Sequence, residues 1–200
     1  MDYVTQFVEA VRFLEKFDSE QRELRLDYDQ FKAGIKRNMA DFELNTFLDE
    51  NLQLYVQSFL ENSLVDPVNH CHSFSQQFFE HWSKSPLGSL APLAITIGNI
   101  EFDGKEVYKV SKSSVKKTMN GGFQPGRELD LHVWLTFNNM VVLDLTLIPT
   151  LTHKGLAKAA DFADKCYVIW KDNSESRLKY IPILQDNQFM YKVDRVAYQL

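Results

Sequence analysis

Apolar positions recur at helical spacing up to about Ser83 and change to strand spacing from Leu93. Residues 3–17 set Tyr3, Phe7, Val11 and Leu14 on one stripe, with Glu9, Arg12 and Glu15 off it. A second amphipathic stretch carries Tyr28, Phe31 and Ile35, and a third, residues 41–62, carries Leu44, Leu48, Leu52, Tyr55 and Phe59. Asp66-Pro67 ends this pattern, because the residue before a proline is pushed out of the helical region. A fourth helix is predicted from near Asn69 to about Ser83, before Ser-Pro-Leu-Gly.

From Leu93 the period becomes two. Leu93–Phe102 reads as a strand, and Asp103-Gly104 as a turn into a second strand, Glu106–Val110. Residues 111–128 are polar, with three lysines and the pairs Gly121-Gly122 and Pro125-Gly126, and read as a long loop suited to a lid. Leu129–Phe137 and Met140–Leu147 follow as strands joined at Asn138-Asn139. Then come a short helix over 155–164 and strands at Tyr167–Trp170 and Tyr180–Leu184. Helices first and a mostly antiparallel sheet after is an α+β arrangement. Residues 1–62 form a helical extension or cap and 63–200 an α+β core, or the whole chain is one domain.

The net charge of -5 argues against a nucleic-acid partner, and the hydrophobic fraction of 44% against disorder. No apolar run approaches the roughly 20 residues that span a bilayer, and the first residues lack a basic, then apolar, leader pattern. The expectation is a cytoplasmic protein with no membrane association; export as an effector is also compatible. Cys71 and Cys166 are too few for a disulfide scaffold, and a bridge between them would remove the more interesting thiol.

That thiol is the candidate nucleophile. Cys71 heads the fourth helix, where unpaired amides and the helix dipole favour a thiolate, with Asn69 or a neighbour as cap. The plainer reading is a small buried hydrophobe. His132 and Trp134 share a face of their strand. Asp144 stands among Val-Val-Leu and Leu-Thr-Leu-Ile, where a carboxylate needs a partner: His132, a backbone amide or a lysine. A two-residue turn at Asn138-Asn139 sets Asp144 opposite Val133, one residue out of step with His132, an offset that a bulge or longer loop corrects. Cysteine, histidine and carboxylate in this order suit a nucleophile, its base and its orienter. His70, Cys71 and His72 do not converge as metal ligands, because adjacent helical residues point about 100° apart. His153 reads as an exposed loop residue and Cys166 as structural. Gly121-Gly122 lacks the strand–loop–helix setting of a phosphate cradle.

Three segments resemble the transglutaminase-like group of the papain-like cysteine hydrolase superfamily. Cys71-His-Ser-Phe-Ser-Gln-Gln-Phe-Phe-Glu is similar to that family's nucleophile helix, and Leu93-Ala-Ile-Thr-Ile-Gly98 to its first core strand. His132-Val-Trp134 and Asp144-Leu-Thr146 resemble its His-x-Trp and Asp-x-Thr strands. Together these span about residues 69–147. Val68-Asn69-His70 departs from the tryptophan or glycine usual ahead of the nucleophile, and the hairpin between His132 and Asp144 is short for the family. The resemblance implies a papain-like core, its sheet packed on the nucleophile helix. It also implies a Cys71–His132–Asp144 triad acting on an amide or isopeptide through an acyl-enzyme, without cofactor or metal. The substrate would be a peptide or other amide, and Gln57 is a candidate second oxyanion donor. Two alternatives stand beside it: a catalytically inactive relative serving as a binding module, and an unrelated α+β protein in which the three residues never meet.

Overall fold

In the computed structural model, which describes residues 1–63, 66–122, 131–163, 165–172 and 176–197, the last four as backbone, the first stripe is buried throughout, whereas the second and third bury Ile35, Leu48 and Leu52 and leave Tyr28, Phe31, Leu44, Tyr55 and Phe59 half-buried. The first half of the chain forms helices α1 (Tyr3–Leu14), α2 (Ser19–Glu23), α3 (Tyr28–Ala40), α4 (Phe42–Asn62), α5 (Cys71–Ser83) and α6 (Pro86–Leu90). Next come β1 (Leu93–Phe102), β2 (Lys105–Glu106), α7 (Lys112–Gly121), β3 (His132–Phe137), β4 (Val142–Asp144) and α8 (Leu147–His153). A 3-10 turn (Ala159–Phe162), β5 (Val168–Trp170), β6 (Leu178–Gln185) and α9 (Phe189–Ala197) complete the order. The fold is α+β with antiparallel strand pairing. No described helix is long and apolar enough to cross a membrane.

The chain divides into two interleaved units. Unit 1 comprises residues 1–32, 94–133 and 172–200, and unit 2 residues 33–93 and 134–171.

In unit 1, β1 is flanked by β2 and β6. Its register with β6 shifts between Ile97 and Gly98, where Pro182 enters the ladder. A proline cannot donate to a ladder, and bulges are where strands tolerate one. Helix α1 packs on β6, burying Tyr3, Phe7, Val11 and Leu14 as predicted, with Val4 and Val8 besides. Asp2 caps it by accepting from the Thr5 amide at 2.7 Å, and the Tyr3 amide donates to Asp172 Oδ2 at 3.0 Å. Helix α9 is held by Lys192, whose ammonium reaches Asp18 at 2.8 Å and the buried Asp186 at 2.9 Å.

Two expectations fail in unit 1. The second strand ends at Glu106 rather than Val110, because a buried side chain takes over from the ladder. Asn99 accepts from the Val110 amide at 2.7 Å and donates to the Val110 carbonyl at 2.9 Å. The long loop is largely helix α7, started by a reciprocal Ser111–Ser114 capping box and anchored by Val115 and Met119, which are buried at i and i+4. Residues 123–130, the rest of that loop and the first two residues of the predicted strand, lie outside the described residues.

Unit 2 is built on α4 and α5. Tyr55 and Phe59 of α4 meet Phe74, Phe78, His81 and Trp82 of α5 in ring contacts of 4.8–5.9 Å. Trp82 is fully buried, donates to the Ala91 carbonyl at 2.8 Å and meets Phe137 edge-on, so the Cys71 helix packs against β3. Strand β4 lies between β3 and β5.

The β3–β4 turn has three residues, not two. The Met140 amide donates to Phe137 and the Phe137 amide to Val141, with Met140 at φ 65°. This is the three-residue hairpin that ends in a left-handed position. Strand β4 stops at Asp144 rather than Leu147, because Thr146 and Leu147 turn into α8. The short helix predicted over 155–164 is a 3-10 turn over Ala159–Phe162, with residue 164 outside the described ones.

Candidate active-site residues

Cys71 is the first residue of α5 and is buried. The approach to it is tightly wound. The Val68 amide donates to Asp66 Oδ1 at 2.9 Å, and Asn69 takes a left-handed φ of 58°, a conformation asparagine tolerates well. The cap position falls to the neighbour of Asn69. His70 occupies the N-cap position and makes no side-chain cap bond, its Nδ1 instead lying 3.0 Å from the Asp66 carbonyl. The first turn of α5 thus receives no side-chain acceptor from its cap, and its dipole is directed at the Cys71 end. Cys71 and Cys166 are not joined; Cys166 is exposed.

Asp144 closes β4 and is 1% exposed. Its Oδ1 accepts from the amides of Thr146 and Leu147, both at 3.0 Å, and so starts α8. A backbone-amide partner, one of the expected options, is therefore part of its role. Helix α8 also reaches the cysteine loop, with the Asn69 amide 3.4 Å from Thr150 Oγ1. Leu147 and Thr150 are three residues apart, a rise of about 4.5 Å. Asp144 and the approach to Cys71 are thus anchored within one turn of one short helix in unit 2.

His132 opens β3, belongs to unit 1 and is fully buried. Its ring stacks on Tyr108, with centroids 5.1 Å apart and planes 20° apart. Tyr108 lies on the segment that Asn99 ties beside β1. The sequence reading missed both residues, although a lone amide inside Leu-Ala-Ile-Thr-Ile-Gly-Asn-Ile signals a buried side chain with backbone to satisfy.

The hairpin register corrects the anticipated offset. Leu135 pairs with Leu143 and Thr136 with Val142, one position from the register of a two-residue turn. Trp134 and Thr136 share one face of β3, and Val142 and Asp144 share one face of β4. Thr136 stands opposite Val142, so these two faces are the same.

The remaining candidates have ordinary surroundings. Gln57 donates to Glu61 at 3.3 Å on the exposed side of α4. His81 Nδ1 is bonded to the Tyr55 hydroxyl at 2.9 Å. His153 ends α8 and is exposed. No group of three or more His, Cys, Asp or Glu among the described residues could hold a metal ion. Comparison with family models, curated proteins and solved structures yields no match.

Proposed function

We propose that the protein is a cysteine-dependent hydrolase or acyltransferase of the transglutaminase-like kind, acting on an amide or isopeptide bond. Cys71 gives its thiol proton to His132, and the sulfur attacks the carbonyl carbon. The C–N bond breaks as the imidazolium returns the proton to the leaving amine, which leaves a thioester on Cys71. Water or a second amine then displaces the thiol. Asp144 orients the imidazole, and the stack on Tyr108 limits rotation of its ring. The observation that carries the reading is the β3–β4 register, which sets Asp144 on the face of the hairpin that Trp134 occupies, two positions along the chain from His132. The position of Cys71 at the dipole-positive end of α5 is the second support.

One observation favours the binding-module alternative. Asp144 already has a purely structural duty, starting α8, which a catalytically silent protein would also need.

Competitive iodoacetamide labelling separates the two readings, because exposure and activation predict opposite orders. Cys166 is exposed and Cys71 buried, so unactivated thiols label Cys166 first. An activated Cys71 labels faster than Cys166 at about pH 6, below the ordinary thiol range near 8.5, and loses that advantage in His132→Ala. Slow labelling of Cys71 that ignores His132 would overturn the enzyme reading.

A further inference from the structure

Unit 2 has a pocket of about 210 Å³ between α4 and β5. Its apolar walls are Leu48, Leu52, Val141 and Ile169, and its polar groups are Asp49, Gln53, Lys165 and Tyr167. The strand register sets it apart from the candidate catalytic residues. Leu143 pairs with Ile169 and Asp144 with Val168, so Ile169 and Tyr167 lie on the face of β4–β5 opposite to Asp144. Residues 48, 49, 52 and 53 form one face of α4, covering that side of the sheet.

The polar groups of this pocket differ in how they are committed. Asp49 is ion-paired with Lys171 at 3.2 Å. Among the described residues, the Gln53 amide, the Lys165 ammonium and the Tyr167 hydroxyl have no hydrogen-bond or ion-pair partner. Burial, followed by the neighbouring Cys166, raises the Tyr167 pKa, so its hydroxyl remains a donor at neutral pH. Three donors and one uncompensated positive charge thus line a pocket with apolar walls. The pocket is below the roughly 300–1,000 Å³ of drug-sized sites, which favours a small ligand.

We propose that this pocket binds a small carboxylate with a branched apolar body. The carboxylate meets Lys165, with Gln53 and Tyr167 donating beside it, and the hydrocarbon rests on Leu48, Leu52, Val141 and Ile169. A free short-chain acid and the C-terminal residue of a peptide share this chemistry.

Titration of the full chain with 4-methylpentanoate, acetyl-Ala-Leu and the carboxamide of each, followed by ¹H–¹⁵N correlation spectra, tests the assignment. The expected result is saturable shifts at Gln53, Tyr167 and Ile169 with at least one acid, its amide binding about tenfold more weakly. The tighter acid identifies the source. Lys165→Met, which keeps the apolar stem of an exposed residue, should weaken the acid by a similar factor, and the unperturbed part of its spectrum reports that it is folded. Equal binding of acid and amide, indifference to Lys165→Met, or no saturable shift with either acid would each overturn the proposal. None of these outcomes bears on Cys71.

Discussion

At Asp144, charge and capping can be separated by substitution. Its Oδ1 satisfies two amides at the start of α8; Asp144→Asn keeps an acceptor there, and Asp144→Ala removes it. Asp144→Ala should cost about 1–2 kcal/mol in urea unfolding and Asp144→Asn half of that or less. If the carboxylate also orients His132, Asp144→Asn should still abolish the fast labelling of Cys71 while leaving the protein near its full stability. Equal labelling in wild type and Asp144→Asn would limit Asp144 to the helix start. The sequence made the residue types and their order legible, but not this register. A two-residue turn is the default for Asn-Asn, and nothing about Met140 announces a left-handed conformation, since φ 65° is unusual outside glycine and asparagine. That one residue decides whether Asp144 shares a face with Val133 or with Trp134.

Among the elements, two junctions give clear expectations. Helix α6 folds back closely on the end of α5. A Cβ at Gly88 would stand 2.4 Å from the Trp82 carbonyl oxygen and 2.8 Å from the Ser83 Cα. Both obstructing atoms are backbone, so Gly88→Ala should cost about 2 kcal/mol in urea unfolding; an unchanged midpoint would mean that α6 detaches freely. At α9, burial disfavours the Lys192 charge, but hydrogen bonds to Asp18 and Asp186 outweigh it and raise the pKa, while the bond from Lys192 leads the causes holding Asp18 below 3.8. The carboxylate of Asp18 therefore stabilises the fold fully above pH about 4, and its contribution is lost as pH falls through the lower folded value. Lys192→Met should cost about 2 kcal/mol at neutral pH, and the gap to wild type should narrow as unfolding is followed below pH about 4. A gap that is constant with pH would place the loss in packing. Long stripes made α1, α4, α5 and β1 legible, because burial of one face is itself the signal. Helices α7 and α8 were not: α7 has only Val115 and Met119 to bury, and α8 carries Pro149 in its first turn, where a missing amide costs nothing.

On the scale of the whole molecule, composition and period identified the α+β class, but not how the chain is shared between units. The expected boundary at 62/63 followed the break in the helical pattern at Asp66-Pro67. The chain passes between units at 32/33, 93/94, 133/134 and 171/172, and no local pattern announces those passages, since contact between distant segments defines them. Helix α1 shows what this implies for a chain made from one end. Its buried face is completed by β6, and its first amide bonds to Asp172, 169 positions away. On the ribosome α1 is made before β6, so its apolar face stays uncovered until that strand has been synthesised. Unit 2 has all its segments by residue 171, so translation would let it condense while unit 1 still waits. Helix α1, made before every segment of unit 2, is then buried after them, and during that interval its apolar face is open to chaperones.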